Sequence, residues 1–128
     1  MEFSKFITPK HRKILQKARD TYGDTTQILV SVEELCELAC VCAKFPRFEN
    51  ADLAREKLHD KAIDEVSDTL VILDHIISIF DLTPAEIGSR VDAKVARMER
   101  WLNASKSQSQ TMIDREVNDP QMSLFDKE

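Results

Sequence analysis

Five carboxylates in two short runs carry the chemistry this chain is equipped for. Glu33, Glu34 and Glu37 stand in VEELCELA, and Glu65 and Asp68 stand in DEVSDT. Residues three apart on a helix are neighbours, so Glu34 with Glu37 and Glu65 with Asp68 each form a pair one turn apart. Four convergent carboxylates suit a hard cation bound through oxygen. Magnesium prefers few protein carboxylates together with waters and substrate phosphates. Two such ions a few ångströms apart clamp a phosphoanhydride and lower the pKa of a water. The set holds no thiolate and no paired histidines, which argues against zinc or copper. A di-iron bundle needs Glu-x-x-His from two helices, whereas Glu65-Val66-Ser67-Asp68 has no histidine in that place. Magnesium is the expected ion, with manganese as its substitute.

The elements that must position these groups are two helices. In Ile28 to Ala43, ILVSVEELCELACVCA, the residues Ile28, Val32, Leu35, Ala39 and Cys42 recur at steps of four and three, the spacing of one buried face. Val30, Leu38 and Val41 lie on the other side with the glutamates. A helix apolar nearly all round is a buried helix, and carboxylates on it must be paired, protonated or metal-bound. This helix is expected to end near Lys44, before Phe45-Pro46, because proline biases its predecessor away from the helical region. A second helix starts at about Asp52 or Lys61 and reaches Phe80, with Ala62, Val66, Leu70, Leu73, Ile77 and Phe80 as its stripe. Ile72, Ile76 and Ile79 share its other side with Glu65 and Asp68. Packed antiparallel, the two helices bring four carboxylates to one point. Asp64 and Asp74 read as surface or capping charges, and His75 as a hydrogen-bonded core histidine.

Composition bounds the rest. The chain has 128 residues, 42% hydrophobic and 32% charged, with two glycines and four prolines, which fits one all-α globular domain. A net charge of −5 argues against non-specific nucleic-acid binding, which runs on basic surface. Cys36, Cys40 and Cys42 sit in one helix at no ordinary zinc spacing and read as small core residues in a reducing compartment. The start, MEFSKFITPKHRK, lacks the apolar core of a signal peptide, and no run is long enough to span a membrane. A cytoplasmic location is expected.

Thr8-Pro9 reads as an N-cap and first-turn proline. The helix after it places Ile14, Leu15, Ala18 and Tyr22 inward, carries Lys10, Arg12, Lys13, Lys17 and Arg19 on a solvated face, and stops at Gly23. Thr83-Pro84-Ala85-Glu86 is a capping box. It opens a last helix with Ile87, Val91, Val95, Met98, Trp101 and Leu102 inward, ending at Asn103. The polar stretch that follows reads as a linker or disordered tail. Residues 1–103 are thus expected to form the folded domain and 104–128 a flexible tail.

EELCE at 33–37 followed by EVSD at 65–68 resembles the Glu-Glu-x-x-Glu and Glu-x-x-Asp signature of the MazG-like, all-α nucleoside triphosphate pyrophosphohydrolases. The resemblance covers roughly Thr21 to Leu102. It implies a four- or five-helix bundle of the all-α NTP pyrophosphatase type, Mg²⁺, a homodimer or homotetramer, and hydrolysis of an NTP or dNTP to its monophosphate and pyrophosphate. Carried over by position, Glu34, Glu37, Glu65 and Asp68 become metal ligands. Glu33 becomes an orienting group or a base for the attacking water, with Glu37 and Glu65 the other catalytic carboxylates. Lys44, Arg47, Lys94 and Arg97 become candidates to hold the triphosphate.

The end of the chain carries a second resemblance. Gln121, Met122, Ser123, Leu124 and Phe125 are similar to the pentapeptide by which bacterial proteins dock on the DNA polymerase sliding clamp, departing from it only at Met122. Docking there would tether a nucleotide-cleansing enzyme beside the polymerase. A non-catalytic helical interaction protein that binds the clamp is the alternative reading of the whole chain.

Overall fold

A computed structural model of the chain describes residues 5–48 and 52–117, and every regular element among them is a helix. These are α1 (Pro9–Tyr22), α2 (Asp24–Phe48), α3 (Asp52–Ile79) and α4 (Pro84–Val117). The expected all-α class holds. The chain divides into two units, Met1–Leu82 with α1 to α3 and Thr83–Glu128 with α4. No helix among the described residues is long and apolar enough to cross a membrane. Gln121, Met122, Ser123, Leu124 and Phe125 lie outside the described residues.

Local sequence sets the helix ends where the caps are strong. The Thr8 hydroxyl accepts from the His11 N–H at 3.2 Å, and the His11 ring takes the Thr8 N–H at 3.3 Å, so two of the otherwise unpaired donors at this end are satisfied. Gly23 alone joins α1 to α2. Its N–H reaches the Arg19 carbonyl at 2.8 Å, and its own carbonyl accepts from Gln27 at 3.2 Å. It does so at φ 84, ψ 156, a region essentially open only to glycine. At Thr83 the Glu86 carboxylate accepts from the backbone N–H at 2.9 Å and from the hydroxyl at 2.6 Å. These two bonds hold the Glu86 carboxyl below its ordinary range.

Two helices outrun their expected ends. α2 continues through Pro46 to Phe48. Proline there removes a single bond, to the Cys42 carbonyl, and half-buried Phe48 packs beyond it. α4 passes Asn103 and reaches Val117. In its hydroxyl-rich segment Ser105, Ser107, Ser109 and Thr111 each donate to the carbonyl four residues back, at 2.8–3.1 Å, which satisfies the hydroxyls within the helix.

α2 packs on α3 in antiparallel sense: Glu34 and Glu37 meet Glu65, while Val41 and Phe45, later on α2, share a groove with Leu58 and Ala62, earlier on α3. The buried face of α2 is Gln27, Ser31 and Val41, with Ile28, Glu34 and Leu38 half-buried. The stripe expected to be buried is mostly open in the single chain: Val32 is 53% and Leu35 42% exposed, and Ala39 and Cys42 are exposed too. All three cysteines are free and exposed rather than core residues. Val66 on α3 and Phe80 just beyond it are exposed, while Ile72 is buried on the side that carries Glu65. The helices therefore pack through the side bearing the carboxylates and leave much of the predicted stripe uncovered. On α4, Val91, Val95, Met98, Trp101 and Leu102 are exposed rather than inward, and Ile87 is half-buried.

α1 meets α3 through a charged network as well as through part of its predicted apolar side. Ile14 and Tyr22 are exposed, Leu15 and Ala18 are half-buried, and Arg19, expected in solvent, is buried. Arg19 Nη1 donates to His75 Nδ1 at 3.0 Å and reaches Asp74 Oδ2 at 3.5 Å, and its Nη2 donates to Gln16 at 2.9 Å. Arg12 Nε donates to the other Asp74 oxygen at 3.2 Å. Asp74 is thus a buried, doubly paired carboxylate and not a surface charge. His75 is the expected core histidine. A guanidinium only donates, so Nδ1 accepts and the ring proton sits on Nε2.

Two predictions follow from the caps and the buried pair. Gly23→Ala forces a side chain into a glycine-only conformation and should cost about 1–3 kcal/mol, read as a lowered denaturant midpoint. Burial and the Arg19 charge hold the His75 pKa below 6.5, against a smaller opposing effect of Asp74. The unfolded chain then binds a proton near 6.5 that the folded chain refuses, so stability falls as pH drops below that value. Urea titrations from pH 7.5 to 5.5 should show the fall, with a shallower slope in His75→Gln, which keeps an acceptor for Arg19.

Candidate metal centre

The site grows from the face on which α2 meets α3. Gln27, Ser31, Glu34, Leu38 and Val41 follow one another at steps of four and three, and the run through Val41 turns Glu34 toward the neighbouring helix. Ser31 is the most deeply buried member, its hydroxyl satisfied by the Gln27 carbonyl at 2.7 Å. Glu65 faces α2 and is only 3% exposed. One carboxylate oxygen from each of Glu34, Glu37 and Glu65 lies within 4.8 Å of the others. Glu34 is half-buried, Glu37 exposed and Glu65 buried. The triad runs from interior to solvent, so a ligand can enter from the Glu37 side.

Its electrostatics are those of crowded like charges. Partial burial pushes the Glu34 carboxyl up, and the charges of Asp68, Glu37, Glu65 and Glu33 push it further. Asp68 is exposed and stands outside the triad, but its charge is the largest of those felt at Glu34. Glu33 is exposed beside it. The compensating cation is Lys61, whose Nζ lies 3.2 Å from Glu65 Oε1. That hydrogen bond and the charges of Glu65, Glu37 and Asp64 raise the Lys61 pKa against the cost of desolvation, so the lysine stays charged.

Glu65 Oε2, in contrast, is buried without a hydrogen-bond partner. A buried polar atom left unpaired costs free energy that its partner would recover. Oxygen donors, carboxylate charge and one orphaned buried oxygen together fit a hard divalent cation.

The structure thus brings together Glu34, Glu37 and Glu65 and sets Asp68 and Glu33 at their margin. Lys44 and Arg47 are exposed on the last turns of α2, and Lys94 and Arg97 are exposed on α4 in the second unit. Sequence reasoning missed Lys61, although its place one turn before Glu65 is an ion-pair spacing. It also missed Arg19 and Asp74 as partners, because nothing local separates a buried arginine from its solvated neighbours. No protein-family model, no curated protein and no solved structure matches this chain.

If the triad binds a cation, protons compete for the same oxygens. A raised Glu34 pKa makes that competition set in above 4.5, so Mn²⁺ affinity should begin to fall at higher pH than for ordinary glutamates. Titration calorimetry from pH 7.5 down to 5 checks this. Glu34→Gln should weaken binding at pH 7.5 and flatten the pH dependence.

Proposed function

We propose that this chain is a magnesium-dependent nucleoside triphosphate pyrophosphohydrolase, cleaving an NTP or dNTP to its monophosphate and pyrophosphate. The observation that carries the reading is a buried carboxylate, Glu65, with one oxygen unpaired, facing two further carboxylates within 4.8 Å. The motif resemblance at 33–37 and 65–68 supplies the reaction class.

Glu34, Glu37 and Glu65 would hold Mg²⁺ or Mn²⁺, with Asp68 completing the set. When bound, the cation neutralises phosphate oxygens and lowers the pKa of an attacking water. Glu33, exposed next to the triad, would orient such a water or accept its proton. Lys44 and Arg47, exposed beyond Glu37 on α2, supply cationic donors for the triphosphate, while Lys94 and Arg97 stay candidates on the resemblance alone. Positioning and electrostatics do most of the work in phosphoryl transfer, and a site open at Glu37 and closed at Glu65 fits that division.

A homodimer is part of the proposal. Val32, Leu35 and Val66 are uncovered, and an apolar groove of about 520 Å³ lies between α2 and α3 nearby, lined by Val41, Cys42, Phe45, Leu58 and Ala62. Contiguous uncovered apolar side chains of this kind suit an interaction surface, and a second copy offers the same surface in return.

Incubation of the purified protein with each NTP and dNTP, with Mg²⁺ and with chelator, tests the activity by chromatography. Monophosphate plus pyrophosphate is expected, lost on chelation and in Glu65→Gln. Diphosphate plus orthophosphate would overturn the assigned bond. Absence of turnover for every nucleotide would overturn the enzymatic reading in favour of a non-catalytic interaction protein.

A further inference from the structure

We propose that Lys61 is a positioning residue for the metal centre: it holds Glu65 by Oε1 and leaves Oε2 for the cation shared with Glu34 and Glu37. The inference rests on the metal reading above. Free in solution, the two oxygens of a carboxylate are equivalent, and the group turns about its terminal bond. In this chain they are made unequal. Nζ of Lys61 lies 3.2 Å from Oε1, while Oε2 is buried with no partner. The Glu65 side chain is only 5% exposed against 58% for Lys61, so the lysine reaches in from solvent and clamps a carboxylate that water does not reach.

Thr69, one turn on, donates to the Glu65 carbonyl at 2.8 Å and leaves the carboxylate to Lys61 alone among the described residues. A ligating carboxylate held by a fixed outer donor presents one oxygen in one direction, which shortens the search for a bound geometry. A charge-assisted bond of this kind is also stronger than a neutral one.

Position and mere charge predict opposite signs. A cation beside a cation site repels the incoming ion, so removing it should tighten binding if Lys61 acts only by Coulomb force. Loss of an orienting partner weakens binding instead, by about tenfold to a hundredfold for outer groups of metal sites.

The test is a Mn²⁺ titration of the full-length chain, free ion followed by its electron paramagnetic resonance signal, in wild type, Lys61→Met and Lys61→Arg. Lys61→Met is expected to bind about tenfold to a hundredfold more weakly, and Lys61→Arg, which keeps a donor for Oε1, to recover most of the loss. Circular dichroism verifies that each variant is helical. Were the methionine variant unfolded, Lys61→Gln carries the same expectation with a smaller loss. Unchanged or tighter binding in a folded variant, with a wild type that binds, overturns the positioning role and leaves the metal reading standing. A wild type that binds no Mn²⁺ overturns both.

Discussion

Antiparallel packing of α2 on α3 forces three glutamates of like charge to within 4.8 Å of one another, and the rest of the site depends on how that repulsion is relieved. Apolar burial drives the packing, since Val41 and Ile72 are among the core residues of the unit. The carboxylates ride on the same faces. Folding therefore works against its own electrostatics here, and the protein relieves only part of the conflict, through Lys61 at one oxygen of Glu65. A fold that tolerates such a cluster without completing it has stability to gain from an added cation.

The contrast with the other buried acid of α3 sharpens the point. Asp74 has a guanidinium on each oxygen, from Arg12 and from Arg19, and His75 beside it accepts from the same Arg19. That network docks α1 and leaves only Arg19 Nε unpartnered. Breaking such a buried pair by removing one partner is strongly destabilising, so the α1 network reads as architecture. Glu65, nine residues earlier on the same helix, has a free oxygen and acidic neighbours. One buried carboxylate is closed by its surroundings and the other is left open, and openness is what a binding site needs.

What the sequence made legible follows from how local each cause is. The caps at Thr8 and Thr83 and the stop at Gly23 are set by residues within a few positions, and they stand as read. The convergence of Glu34, Glu37 and Glu65 was also legible, because three-residue spacing on two apolar helices leaves few ways to pack. The choice of face was not. Helices apolar nearly all round give no local preference between the side of Ile28, Val32 and Leu35 and the side of Gln27, Ser31 and Val41; tertiary packing decides. Arg19 and Asp74 were misplaced in solvent for the same reason, since their burial depends on partners more than fifty residues apart. Pro46 and the serines after Asn103 misled in another way, as local breakers that the helices absorb.

Thermal unfolding against Mg²⁺ concentration asks whether the triad takes up a cation in the folded chain. The midpoint of the wild type should rise with added Mg²⁺ and keep rising with the logarithm of its concentration beyond saturation. Glu65→Gln, which removes one of the crowded charges, should abolish most of that rise. A wild-type midpoint indifferent to Mg²⁺, or an equal rise in Glu65→Gln, would contradict a cation site at the triad.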